Sequence, residues 1–176
     1  MCKEEKPYFL AFAETCLKDN MKEAEYEIEG YSYVASHRKD RGGGVIIYID
    51  EDASYKSLIS ISDEMCSLVA IYLEELNLIV FMVYRPPPNN ISIYRGDKLV
   101  RSFNDIVISN INKVIGKFQA PTPDIILTGD FNFPKALWDA GIGTVQTDEP
   151  CNRKSLQQLI DLASRYNLLQ IVHITM

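Results

Sequence analysis

The sequence predicts an α/β (α+β) domain in which layered strands are covered by helices. Six short runs rich in Val, Ile, Tyr and Phe recur in the first half of the chain. Two segments with helical periodicity follow in the second half, and one apolar run lies between them. This order of elements favours a mixed sheet, or two stacked sheets, with helices on the outside.

The six predicted strands span residues 8–13, 31–35, 45–49, 55–61, 68–73 and 78–83. Residues 45–49 and 78–83 are apolar at nearly every position, which is typical of strands that are covered on both faces. Residues 74–77 separate the last two strands and have the length of a hairpin connection. The Pro-rich stretch that follows, residues 86–90, predicts a surface loop rather than a domain boundary.

Two amphipathic helices are predicted, over residues 97–117 and 152–166. Apolar side chains recur every three to four positions in both segments, which gives each helix one buried face. Asp97 and Lys117 suit the two ends of the first helix, and Asn152 or Ser155 suits the N-cap of the second. Residues 124–128 predict a buried strand between the helices, and residues 168–172 predict a last strand.

The composition limits the possible classes of protein. The chain has 176 residues, which indicates a single domain over residues 1–176, and 47% of them are hydrophobic, as in globular proteins. The net charge of −6 excludes nucleic-acid binding through bulk positive charge, although a local site could still meet a polyanion through a metal. The apolar runs are too short to span a membrane, and no secretory signal is present. Four scattered cysteines indicate free thiols, so we expect an intracellular protein of the nucleus or cytoplasm, with no membrane partner.

Polar residues follow three of the predicted strands at the point where each strand ends. Glu14 follows the first strand, Tyr84 and Arg85 follow the sixth, and Asp130 and Asn132 follow the strand between the helices. Loops that leave the ends of adjacent strands converge on one rim of a layered fold, where sites are usually built. Each segment alone is also typical of an ordinary turn, so the prediction depends on their combination.

The residue types suit phosphoester chemistry. The Glu14 carboxylate offers the hard oxygen ligands that Mg²⁺ prefers. Asp130 and Asn132 are two positions apart, so on an extended backbone their side chains point the same way. One can orient or deprotonate a water, and the other can donate amide hydrogens to a phosphate oxygen. The Tyr84 phenol can hydrogen-bond the same phosphate. We therefore predict Tyr84, Asp130 and Asn132 as catalytic residues and Glu14 as a metal ligand.

A compact basic run precedes three glycines in the chain. It includes Arg38 and Arg41 and ends directly before residues 42–44. Such a run is most often a solvated loop, but a glycine turn beside it also allows it to lie against a phosphate backbone.

These motifs resemble the endonuclease/exonuclease/phosphatase superfamily, which has a DNase I-like fold. The segments that carry the resemblance are Glu14-Thr15, residues 41–44, Tyr84-Arg85-Pro86-Pro87 and Thr128-Gly129-Asp130-Phe131-Asn132. The Tyr-Arg-Pro-Pro form is most similar to the apurinic-type endonuclease domain of non-LTR (LINE-type) retrotransposons, which usually precedes a reverse transcriptase. The resemblance extends from about residue 8 to residue 175.

The resemblance implies a DNase I-like layered β-sandwich flanked by helices, DNA as the substrate and Mg²⁺ as the cofactor, with Mn²⁺ as the alternative. It implies that Glu14 binds the metal, that Tyr84 and Asn132 lie at the scissile phosphate, and that Asp130 activates the attacking water. Arg38, Arg41 and Arg85 would lie towards DNA, and Thr175 loosely matches a threonine of the family. A reverse transcriptase domain would be a partner in the parent element.

The chain also departs from the family pattern. A strand with a metal-site asparagine, which precedes the glutamate strand in the family, has no counterpart here, and neither does the late Ser-Asp-His motif. His173 is not equated with the histidine of that motif. Ser62-Asp63-Glu64 begins like the motif but has no histidine. We therefore expect an incomplete domain with little or no activity. Two alternatives stay open: a non-catalytic module that binds nucleic acid or protein, and a phosphoesterase of the same superfamily that acts on a small phosphoester.

Overall fold

The computed structural model of the chain describes residues 6–18, 20–38, 42–63, 66–87, 94–95, 98–99, 103–133, 136–139, 144–146 and 150–169. The strands are β1 (Phe9–Ala13), β2 (Tyr31–Ser36), β3 (Val45–Asp50), β4 (Tyr55–Asp63), β5 (Cys66–Leu73), β6 (Leu78–Tyr84), β7 (Tyr94–Arg95), β8 (Lys98–Leu99), β9 (Asp124–Asp130), β10 (Leu137–Asp139) and β11 (Thr144–Gln146). The helices are α1 (Phe103–Ile115) and α2 (Pro150–Arg165), and Glu23–Glu25 forms a short 3₁₀ turn. The fold class is mixed α/β (α+β), as the sequence predicts.

Two main sheets form the body of the protein. The first is antiparallel with the order β1-β3-β2, and the second has the order β4-β5-β6-β9. In the second sheet the pair β6–β9 is parallel, while the other neighbours are antiparallel. The pairs β7–β8 and β10–β11 form two small separate hairpins.

The hydrophobic core has two layers, one on each face of the second sheet. Alternate residues of β3, β5 and β6 pack between the two sheets, and they include Ile47, Ile71 and Val80. The other face of β5 and β6 packs against the buried stripes of α1 and α2. Strands β5 and β6 are therefore covered on both faces, which explains the continuous apolar run at residues 78–83.

The edges of the two sheets are joined by serine side chains. Ser60 Oγ donates to the Ala35 carbonyl at 2.9 Å, and Ser36 and Ser62 donate to the Ile61 and His37 carbonyls. These bonds connect β2, an edge strand of the first sheet, to β4, an edge strand of the second. One side of the sandwich is thus closed by side-chain to main-chain hydrogen bonds.

The start of the first helix differs from the prediction. Helix α1 begins at Phe103 rather than near residue 97, because Lys98–Leu99 pairs with Tyr94–Arg95 as a hairpin. The apolar residue Leu99 therefore belongs to a strand and not to the helical repeat.

The second helix begins earlier than predicted. Helix α2 starts at Pro150, so Asn152 and Ser155 lie inside it and neither is the N-cap. Proline suits the first turn because no intrahelical partner is available for an amide hydrogen there. The helix ends as Asn167 adopts a φ of 53° and the Leu168 N–H bonds to the Ala163 carbonyl at 2.8 Å. Residues 170–172 of the predicted last strand lie outside the described residues.

Two further findings bear on the class of protein. No helix in the described part of the chain is long and apolar enough to cross a membrane. Among the cysteines that the structure describes in full, Cys16 and Cys66 are free thiols, as the sequence predicts.

Candidate functional site

The parallel pairing of β6 with β9 places two predicted site residues side by side. Tyr84 is the register partner of Asp130, and the Arg85 N–H donates to the Asp130 carbonyl at 2.8 Å. One step earlier in the register, Gly129 has a φ of 142°, and a Cβ there would lie 1.9 Å from the Val83 carbonyl oxygen. Only glycine allows β9 to approach β6 so closely, so Gly129 permits the contact between Tyr84 and Asp130.

Glu14 lies on a turn that follows β1. The φ of Glu14 is 54° and that of Cys16 is 53°, a left-handed conformation that is uncommon for residues with a side chain. The turn is held by the Cys16 N–H, which donates to the Gly43 carbonyl at 2.8 Å. It leaves the Glu14 side chain exposed to solvent.

Gly43, in the middle of the glycine run, packs directly on Tyr84. A Cβ on Gly43 would lie 2.4 Å from Cε1 of the Tyr84 ring, so the bare backbone of this residue lies against the phenol. The Arg38 guanidinium lies 5.9 Å from the centre of the same ring. Arg38 and Gly43 therefore lie beside Tyr84.

Electrostatics links Tyr84 to the charged residues around it. Burial raises the pKa of the Tyr84 phenol, and the negative charges of Glu14 and Asp130 raise this pKa further, as does a hydrogen bond to Glu14. The Arg38 cation acts in the opposite direction. The four side chains thus interact electrostatically, and their net effect together with burial favours the neutral phenol.

Asn132 holds the Asp130 carboxylate from two sides. Its N–H donates to Asp130 Oδ1 at 3.0 Å, and its Nδ2 donates to Asp130 Oδ2 at 2.8 Å and to the Arg85 carbonyl at 2.6 Å. The reversed amide would place its oxygen against two acceptors, so the hydrogen-bond partners fix this orientation. Both amide hydrogens are used inside the protein, which differs from the phosphate contact expected from the sequence. Asn132 instead orients Asp130.

Arg85 is buried, with 4% of its surface exposed. Its Nη1 donates to the Asn132 carbonyl at 2.9 Å and to the Phe131 carbonyl at 3.3 Å. Its guanidinium carbon lies 4.2 Å from the centre of the Phe133 ring. The side chain therefore points into the protein and not towards the surface where DNA was expected.

The structure brings together Glu14, Arg38, Tyr84, Asp130 and Asn132, while Arg41 and Thr175 lie outside the described residues. The sequence reasoning missed the contact between Gly43 and Tyr84. The three consecutive glycines were its signal, because such a run indicates a close approach of backbone to another group.

Glu14 and Asp130 are carboxylates of this rim that could bind a metal. Among the described residues no group of three or more His, Cys, Asp or Glu is arranged to hold a metal. Mg²⁺ needs only one or two carboxylates, since it keeps most of its water ligands. The exposed Glu14 carboxylate is an oxygen donor of this kind.

No family model matches the chain, and a search of curated proteins finds none similar to it.

Proposed function

We propose that this chain is a Mg²⁺-dependent DNA endonuclease domain with a DNase I-like fold, related to the endonucleases of non-LTR retrotransposons. The observation that carries the proposal is the register pair of Tyr84 with Asp130, with Glu14 at the same rim. Two stacked sheets with helices on an outer face support the DNase I-like assignment. The family motifs thus lie together in space although they are far apart in the chain.

Each residue has a defined task in phosphodiester hydrolysis. Asp130 accepts a proton from the attacking water through a lone pair that Asn132 does not occupy. The Tyr84 phenol, which is protonated at neutral pH, donates a hydrogen bond to a phosphate oxygen. Glu14 would hold Mg²⁺, which stabilises negative charge on the phosphate when bound. Arg38, beside the ring, lies on the side where the DNA backbone would pass.

Nicking of supercoiled plasmid tests this function. At most slow conversion to open circles in the presence of Mg²⁺ is expected for the native chain, in line with the low activity expected from its departures from the family pattern, and none in the presence of a chelator. The matched variant is Asp130→Asn, which keeps the shape of the side chain but removes the base. Loss of a general base lowers the rate by about 100-fold or more. Equal nicking by Asp130→Asn and the native chain would contradict the proposal.

Substrate comparison separates this function from its alternatives. Plain DNA, abasic DNA and inositol phosphates are tested with the same preparation. Faster hydrolysis of inositol phosphates than of either DNA would indicate a small-phosphoester hydrolase. DNA binding without any Mg²⁺-dependent cleavage would indicate a non-catalytic binding module.

A further inference from the structure

Arg85 lies inside the protein, directly after β6. Its 4% exposed surface leaves no face for a DNA backbone, which would need to reach the guanidinium. A buried cation is costly unless it is hydrogen-bonded, and the described partners of its Nη1 offset part of this cost. Those partners lie on the turn that carries Asp130 and Asn132.

The contacts between Arg85 and this turn are reciprocal. The main-chain N–H of Arg85 donates to the Asp130 carbonyl at 2.8 Å, and its side chain donates to the Asn132 carbonyl at 2.9 Å. In return the Asn132 amide donates to the Arg85 carbonyl at 2.6 Å. The turn is therefore tied to the end of β6 by both the main chain and the side chain of one residue.

The guanidinium suits this position better than an ammonium group. The left-handed φ of Asn132, 46°, belongs to the turn whose Phe131 and Asn132 carbonyls both accept from Nη1. A planar guanidinium can donate to this turn while it stacks on the Phe133 ring at 4.2 Å. A lysine would keep the charge but lose the planar stacking and the fixed donor geometry.

We propose that Arg85 is a positioning residue that clamps the Asp130–Asn132 turn in its site conformation and does not contact DNA. The clamp itself rests on the contacts above, while its effect on catalysis rests on the proposed endonuclease function. The charge of Arg85 is thus used inside the protein to hold the acid and amide of the site.

Amide hydrogen exchange measures the clamp without any need for activity. The probe is the Asn132 N–H, which bonds to Asp130 Oδ1 at 3.0 Å. We expect Arg85→Lys to speed its exchange by about tenfold or more, since bonds to charged groups are the stronger ones. Amides of the β5 interior should be unchanged. The matched control is Arg165→Lys, which alters an exposed arginine at the end of α2.

Two results would overturn the clamp. One is native-like exchange at Asn132 in Arg85→Lys, and the other is a uniform increase across all strands, which would mean a loss of global stability alone. If Arg85→Lys does not fold, the same exchange measurement is made on Phe133→Leu. This variant removes the stacked ring but stays apolar, and faster exchange confined to the turn supports the clamp.

Nicking kinetics test the catalytic consequence. A positioning role predicts that Arg85→Lys lowers kcat by about tenfold or more while KM for DNA stays unchanged. A DNA contact predicts the reverse, with kcat kept and KM raised, and would overturn the proposal. If the native chain does not nick DNA, the endonuclease function fails, whereas the exchange measurement still decides whether the clamp exists.

Discussion

Gly43 controls the position of the Tyr84 ring. The 2.4 Å approach of a Cβ to Cε1 of that ring leaves no room for a methyl group, and the φ of 115° is strained for any residue but glycine. Its neighbour Gly42 has room for a methyl group, because a Cβ there would lie 3.5 Å from Cys16 Sγ, an ordinary contact. The φ of Gly42 is also outside the strained positive range. Two adjacent glycines thus offer a matched test of the packing at the site.

Gly43→Ala is expected to destabilise the protein by about 2 kcal/mol, the usual cost of overpacking, whereas Gly42→Ala should change stability by less than about 0.5 kcal/mol. Urea unfolding of both variants measures the difference. Equal midpoints for the two variants would show that the ring does not lie against Gly43.

Single residues also show where sequence reasoning was sufficient. Glu14, Tyr84 and Asp130 could be chosen because each follows an apolar strand, which is a local signal. The inward direction of Arg85 could not be predicted, because its acceptors are main-chain carbonyls 46 and 47 positions away. The internal use of both Asn132 amide hydrogens could not be predicted either, because one acceptor, the Arg85 carbonyl, is also distant in the chain.

Among the elements, the strand pair β6–β9 requires a residue without a side chain at one position, Gly129. A Cβ at Gly129 would lie 1.9 Å from the Val83 carbonyl oxygen, and the obstacle is backbone, which cannot rotate away. Any side chain at this position must therefore separate the two strands.

Gly129→Ala is expected to cost about 3 kcal/mol or more and to remove the contact between Tyr84 and Asp130 as well. Urea unfolding measures the loss, and Gly42→Ala again serves as the tolerated control. A stability within about 0.5 kcal/mol of the native chain would refute the tight approach of β9 to β6.

Elements were predictable where a pattern was long and apolar. Residues 78–83 were recognised as a strand because their apolar run matches burial on two faces. Residues 124–128 also form a strand, but the prediction that it is buried was wrong, because β9 is the edge strand of its sheet among the described residues and Ile126 is exposed. The predicted start of α1 was wrong because the two-residue strands β7 and β8 are too short to leave a periodic signal. The parallel register of β6 with β9 was not predictable either, since it depends on packing between distant segments.

For the molecule as a whole, burial of Cys66 makes stability sensitive to alkaline pH. Desolvation in the core raises the pKa of its thiol from 9.0 to about 12, with a further contribution from Asp63 and an opposing one from Arg38. In the unfolded chain the thiol ionises at its ordinary pKa. The stabilisation is therefore complete below pH 9 and is lost as pH rises from 9 towards 12.

The free energy of unfolding should fall by about 1.4 kcal/mol per pH unit from this one proton across that window. Tyrosines with raised pKa values, Tyr8, Tyr33, Tyr48 and Tyr84, add to the slope above pH 10. Urea titrations at several pH values measure the slope, and Cys66→Ala should make it shallower between pH 9 and 10. An identical slope in that variant would exclude the thiol as the cause.

The parallel pairing of β6 with β9 also determines when the protein acquires its site during folding. The hairpin β5–β6 needs only a four-residue connection, so it can form quickly from local contacts. Strand β9 reaches β6 only after the closure of a long loop, since Arg85 and Phe131 are 46 positions apart. The hairpin alone does not contain the pair of Tyr84 with Asp130. The pairing on which the proposed function depends is therefore expected to form later than the local hairpin.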